Sequence, residues 1–193
     1  PKTYPTYRIY HFFASDPEGR PLEFQSFDPP VMPHLSGDEL LRTRRSIRRY
    51  TEAEVPDDLI RETIEECALA PSSHNSQPCT FVTVRDREKR ERLAALREDS
   101  SAPIGRAPAA IAVCADPDRT GRPLEDGCIA GTYLLLAAWN RGLGTCWIGG
   151  MDREDVKEIL GVPAGWIVAM ITPIGWPAVL PDPPERVPVR SRT

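Results

Sequence analysis

The sequence predicts one domain that mixes helices and strands, for three reasons. Helical and strand-like segments alternate through residues 38–193, no segment repeats another, and 193 residues with 40% hydrophobic content can bury one sizeable core. The alternation suits a layered α+β domain and a doubly wound sheet alike.

Residues 1–37 form an arm with aromatic punctuation at Tyr4, Tyr7, Tyr10, Phe12, Phe13, Phe24 and Phe27 and no sustained period. Asp38 is placed to cap a short helix through Thr43 that delivers Arg44 to Tyr50 at its end. Pro56, Asp57 and Asp58 open a second helix, with Leu59, Ile60, Ile64, Cys67 and Ala68 on one stripe, and Pro71 stops it. After a polar loop, Pro71 to Pro78, residues 79–84 read as a strand, 86–98 as a charged helix and 109–115 as a buried strand.

Residues 125–141 are apolar nearly all round, so this helix is expected at the centre of a core or a dimer, with Gly142 at the left-handed position after its end. Leu143 to Gly150 reads as a glycine-interrupted strand. Asp152 is placed to cap a short helix ending at Gly161, Trp166 to Ile174 reads as a buried strand, and a Pro-rich, Arg-bearing tail follows.

The formal charge of −4, from 24 basic and 28 acidic residues, argues against general attraction to nucleic acid or anionic membrane. No window approaches the roughly 20 apolar residues of a membrane span, and residues 1–10 lack a signal-like apolar run, so a soluble cytoplasmic protein is expected. Five cysteines without C-x-x-C spacing are expected as reduced thiols, four of them in apolar runs that read as core.

Three segments carry candidate chemistry. In Arg44-Arg45-Ser46-Ile47-Arg48-Arg49-Tyr50, guanidinium forks and a hydroxyl crowd a helix end, a pattern suited to phosphate and equally to a solvated basic surface. The loop Ala70-Pro71-Ser72-Ser73-His74-Asn75-Ser76-Gln77-Pro78 offers amides and hydroxyls that can satisfy a heterocycle without charge, or simply form a capped turn. Repeated glycine in Gly142 to Gly150 lets a flat ligand approach the backbone, though bulges or close strand packing also account for it.

The glycine spacing does not match a dinucleotide-binding fingerprint. Ser72, Ser73 and His74 do not propose an acyl-transfer triad, because sequence neighbours rarely present hydroxyl and imidazole to one another and there is no G-x-S-x-G elbow. His11 and His34 are isolated and propose no metal site.

Taken in order, Arg44-Arg45-Ser46 with Arg48, the loop from Pro71 to Pro78 and Gly142 to Gly150 resemble the nitroreductase-like family of FMN-dependent oxidoreductases. The resemblance spans about residues 38–193. It implies an α+β fold with a mixed, mostly antiparallel sheet flanked by helices, and an intertwined homodimer with FMN at the interface. By that similarity Arg44 and Ser46 hold the FMN phosphate, Arg48 lies by the N1 and C2 carbonyl edge, and Arg45 is a basic residue at the cofactor. Pro71, Ser72, Ser73 and Asn75 match residues that reach flavin from the partner subunit, and Gln77 lies in the same loop. Trp147 and Ile148 lead into Gly149 and Gly150, the segment whose backbone N–H faces flavin N5. Arg190 and Arg192 match a basic pair near the phosphate.

The implied activity is NADH- or NADPH-driven reduction of a small acceptor, a nitroaromatic, quinone or similar, by ping-pong hydride transfer through flavin N5. The same family likeness accommodates an FMN-dependent dehydrogenase or oxidase and a non-catalytic flavin-binding module. No side-chain acid is identified for catalysis. The chain departs from the family pattern at Cys79, where Trp is common, at Gly149, where an acidic residue is frequent, and in the short segment between Glu98 and Pro108.

Overall fold

The computed structural model describes residues 35–182 and the backbone of 9–15 and 21–27. In the latter segments β1 (Ile9–Ser15) pairs antiparallel with β2 (Pro21–Phe27), in register from Ile9 opposite Phe27 to Ser15 opposite Pro21. Residues 9–15 and 21–27 of the arm are therefore paired strands where no regular structure was expected. The readable cue was the Asp16-Pro17-Glu18-Gly19 punctuation between two aromatic-bearing runs.

The central sheet has four antiparallel strands in the order β3-β4-β6-β5: β3 (Cys79–Val84), β4 (Ala109–Ala115), β5 (Gly144–Thr145) and β6 (Ile167–Gly175). Its architecture is the expected α+β one, not a doubly wound parallel sheet. Every residue of β4 is 0% exposed, because its small apolar side chains are covered on both faces. Ile111 and Val113 point to one core; Ala110, Ala112 and Cys114 point to the other, as the two-residue period of a strand requires.

The first core is covered by α2 (Asp57–Cys67) and α5 (Pro123–Asn140), which bring Ile60, Cys67, Leu134 and Ala138 against Met170 and Ile174. The second is covered by α3 (Arg87–Ala95), α4 (Ala102–Arg106) and α6 (Glu154–Leu160), through Leu93, Ile104, Val156 and Ile159. A bulge in β6 opposite Val113 and Cys114 keeps both faces in phase: Met170 faces Val113 while Val168 faces Cys114.

Several boundaries differ from the expected ones. The short helix α1 (Gly37–Thr43) is capped by Ser36, not Asp38: Ser36 and Glu39 form a reciprocal capping box, and Asp38 sits in the first turn paired with Arg42 at 2.7 Å. Asp152 does not cap α6; its carboxylate accepts from the Val168 N–H at 3.1 Å and pairs with Lys157 at 3.2 Å. The charged helix ends at Ala95, the stretch 143–150 is a two-residue strand plus a bridge from Ile148 to Ile171, and Ala68 is exposed beyond the end of α2. All five cysteines are free; Cys67, Cys114 and Cys146 are buried, Cys79 and Cys128 half-buried.

Gly142 adopts φ 74° after α5, and the bonds Gly142 N–H to Trp139 O and Leu143 N–H to Ala138 O, 3.0 and 2.9 Å, complete a Schellman turn. That turn aims the chain back onto the sheet edge as β5. Among the described residues no helix is long and apolar enough to cross a membrane, and no group of three or more His, Cys, Asp or Glu could hold a metal ion.

Candidate active site

The Arg-rich segment leaves α1 with Arg44 in an extended conformation and lies along β5. Ser46 bridges Thr145 in parallel, the Ile47 N–H donates to Thr145 O at 2.8 Å, and the Ala178 N–H donates to Arg49 O at 3.0 Å. Ile47, 1% exposed, is the apolar anchor that fixes which neighbours face outward. Its carbonyl accepts the Tyr50 hydroxyl at 2.5 Å.

Ser46 thus lies beside Thr145 and its neighbour Cys146, and the charges of Arg48 and Arg44 act on the Cys146 thiol. Burial pushes the Cys146 thiol up from its ordinary range, opposed first by the Arg48 charge, then by a hydrogen bond from Ser46 and the charge of Arg44. Next to it, Thr145 Oγ1 is buried with no hydrogen-bond partner among the described residues. Arg45 turns elsewhere: its guanidinium donates to Arg42 O at 2.8 Å and Arg44 O at 3.0 Å, satisfying carbonyls at the end of α1.

The glycine segment adjoins this cluster. Trp147 lays its ring over α5, where the missing side chain of Gly131 leaves room: a Cβ there would stand 3.0 Å from Trp147 Cζ3. The Trp147 ring also borders Gly149, and Ile148 is buried through paired backbone bonds to Ile171 at 3.0 and 2.9 Å. Gly150 is left-handed at φ 65°, and the Gly149 carbonyl accepts from the Arg97 guanidinium. Nothing in the sequence marks Arg97 among the charged residues around it.

The loop 71–78 is held separately. The Gln77 N–H donates to Ser72 Oγ at 2.9 Å, the Ser73 N–H donates to Asp126 at 2.8 Å, and Gln77 Nε2 donates to the Asn75 side chain at 3.3 Å. His74, Asn75 and Gln77 have φ of 52°, 56° and 48°, left-handed values that concentrate at functional sites. That backbone also overturns the expectation about neighbouring hydroxyl and imidazole: Ser73 Oγ and His74 Nδ1 lie 3.2 Å apart. The nearby carboxylate of Asp126 is bonded instead to backbone and to Thr120, so no triad is assembled.

Pro71, Ser72 and Gln77 border a cavity of about 300 Å³ beside Cys79 and Asp126, between α2, β3 and α5. Residues 44–50 and 142–150 do not line it. Within one chain the Arg-rich segment lies along β5 beside the glycine segment, and the polar loop borders a cavity that neither of them lines. Arg190 and Arg192 lie outside the described residues.

Comparison with known proteins bears on the family and the fold. The nitroreductase family model matches residues 41–113 and 99–176. A protein of Archaeoglobus fulgidus named as a putative NADH dehydrogenase/NAD(P)H nitroreductase is 36% identical over 147 residues, covering 72% of this chain and 84% of its own. An FMN-dependent nitroreductase of Clostridium difficile superposes with a TM-score of 0.71 at 31% identity, over 77% of this chain and 91% of that one. The NADPH:FMN oxidoreductase of Vibrio harveyi, solved with NAD+, gives 0.72 at 28% identity over 81% of this chain and 76% of that one. With the family model spanning both the Arg-rich segment and the glycine segment, the chain belongs to the nitroreductase family.

Proposed function

We propose that this chain is an FMN-dependent oxidoreductase that draws electrons from NADH or NADPH and delivers them to a small acceptor such as a nitroaromatic or quinone. The observation that carries the reading is the Arg-rich segment laid along β5, with Ser46 bridging Thr145 and Ile47 bonded to the Thr145 carbonyl, directly beside the glycine segment. The residues fit the cofactor: two guanidinium groups and a hydroxyl match a phosphate monoester and an electron-rich ring edge, and Thr145, whose buried hydroxyl has no partner among the described residues, bridges Ser46 through the backbone. The names of the Clostridium and Vibrio neighbours, FMN-dependent and FMN-using respectively, support the same assignment.

When bound, FMN supplies a carrier for a hydride between nicotinamide and acceptor. Arg44 and Ser46 hold its phosphate through charge-assisted bonds, and Arg48 steadies negative charge at the pyrimidine edge by fixed electrostatics. The backbone of Gly149 and Gly150 orients the reacting edge, with Trp147 and Ile148 fixing that segment against α5 and β6. Arg45 supports the cradle from the end of α1, and Arg190 and Arg192 are assigned to the phosphate.

Pro71, Ser72, Ser73, Asn75 and Gln77 are assigned to the flavin of a second copy of the chain, in a homodimer, since their loop lies apart from the Arg-rich cluster. The exposed side of α5, with Leu124, Ile129 and Tyr133, is the surface proposed for that association. Residues 38–193 are taken as the flavin-binding domain, with the arm 1–37 outside it.

The test is the absorbance spectrum of purified protein before and after anaerobic NADH or NADPH. Flavin bands that bleach and return on adding a quinone support the reading. Flavin that ignores both nucleotides overturns the electron donor, and no flavin uptake from added FMN overturns the cofactor.

A further inference from the structure

Arg97 lies just beyond α3, in a part of the chain to which the proposed function gives no role. Its guanidinium reaches across 52 residues of sequence to donate to the Gly149 carbonyl. That carbonyl and the Gly150 N–H belong to one peptide unit, coupled by resonance. A cation on the oxygen draws electron density from the nitrogen and leaves the N–H more positive, as in any polarised chain of hydrogen bonds.

The contact is built from both sides. On the Arg97 side, the backbone N–H donates to Ser101 Oγ at 3.0 Å, and Ser101 is itself fully buried and donates to Ala94 O at 2.7 Å. The flanking Leu96 carbonyl accepts from Arg153 at 3.4 Å. On the other side, a Cβ on Gly150 would stand 2.7 Å from Arg97 Nη1 and 3.0 Å from Cζ, so the bare backbone is what lets the guanidinium lie against the peptide. Gly150 also has φ 65°, a conformation that disfavours side chains on its own account. Among the described residues, this guanidinium donates to the carbonyl and not to a carboxylate.

We propose that Arg97 is a positioning residue that polarises the Gly149–Gly150 peptide and strengthens the Gly150 N–H as a donor to the reacting edge of FMN. This rests on the FMN reading of that segment. A stronger donor stabilises the electron-rich reduced ring more than the oxidised one, so Arg97 raises the reduction potential and acts through the peptide without touching the substrate.

The test compares wild type with Arg97→Ala and Arg97→Gln by two readouts. The first is the two-electron midpoint potential of the FMN-loaded protein, measured against reference dyes. Both variants are expected to retain FMN and to favour the reduced form about tenfold less, a fall of about 30 mV for a two-electron couple. The second, taken on FMN-free protein labelled with nitrogen-15 glycine, is the Gly150 amide proton resonance, expected to move upfield in both variants while Gly161 holds its position. Arg97→Gln keeps a neutral stem should the alanine variant fold poorly.

An unchanged potential in variants that bind FMN normally overturns the proposal while leaving the FMN reading intact. Lowered thermal stability without a change in potential assigns Arg97 a structural role only and overturns it equally. Wild-type protein that takes up no FMN defeats both, and its missing flavin spectrum tells that failure from the other two.

Discussion

Asp126, in the first turn of α5, accepts a hydrogen bond from the Ser73 N–H at 2.8 Å and so ties loop 71–78 to the central helix. The carboxylate is 3% exposed, its other oxygen takes the Thr120 hydroxyl at 2.6 Å, and the positive end of the helix favours its charge. The loop needs such a tether, because three of its non-glycine residues hold left-handed backbone. Asp126→Ala is expected to cost about 2–3 kcal/mol in urea unfolding, with Ser73 left unpaired, and to weaken FMN binding. Asp126→Asn keeps an acceptor and should cost clearly less. Equal losses in the two variants would remove the tether from the account.

Arg44 and Arg45 are neighbours in sequence with different surroundings, and they should behave differently. The Arg44 charge acts on Cys146, whereas the Arg45 guanidinium is engaged by the carbonyls of residues 42 and 44. Arg44→Ala is expected to weaken FMN binding about ten- to a hundredfold, on the scale of a lost charged hydrogen bond. Arg45→Ala should weaken it much less. Flavin fluorescence titration of both variants decides, and matched losses would mean that Arg45 leaves its carbonyls when FMN binds.

Much of this fold is legible locally. The β4 run from Ala109 to Ala115 is apolar throughout because both faces are covered, and Pro71 bars any return to helix after α2 ends at Cys67 and the chain tightens through Ala70. The pairing of the Arg-rich segment with the glycine segment at Ser46 and Thr145 could be expected from their pattern and family likeness. Arg97 and Asp126 could not, since each acts through a backbone group more than 50 residues away and neither carries a local motif. The Ser36 cap was missed in favour of Asp38, two residues on, although Ser36 with Glu39 carries the capping-box spacing.

Two thiols, half-buried Cys79 and buried Cys114, set a limit on alkaline stability. Burial pushes the Cys79 thiol from 9.0 up to about 11, with the Asp126 charge adding to it, and pushes Cys114 up to about 12. Raised values mean that the fold holds these groups neutral while the unfolded chain loses their protons first. Their contribution is therefore intact below pH 9 and declines between pH 9 and about 11 to 12. The urea midpoint should be level from pH 7 to 8.5 and fall above 9, and Ellman's reagent at pH 8 should label Cys114 only after unfolding. Rapid labelling of Cys114 in native protein would contradict its burial.

Gly144 is where sheet and site share one contact. A Cβ there would stand 2.8 Å from Cβ, Cγ1 and Cγ2 of Ile47, the anchor of the Arg-rich segment. Ile47 is 1% exposed and branched at Cβ, so it cannot swing clear as the end of a long side chain could. Gly144→Ala should therefore push residues 46–48 off the edge of β5, at about 1–3 kcal/mol for an overpacked core. Because Arg44, Ser46 and Arg48 move with their anchor, FMN affinity should fall in the same variant although residue 144 has no side chain to offer the cofactor. A stability loss in urea with unchanged FMN affinity would show that the phosphate cradle keeps its shape independently of Ile47. Loss of both is the expected result, and it would place the specification of the site in the packing of the sheet edge as well as in its charges.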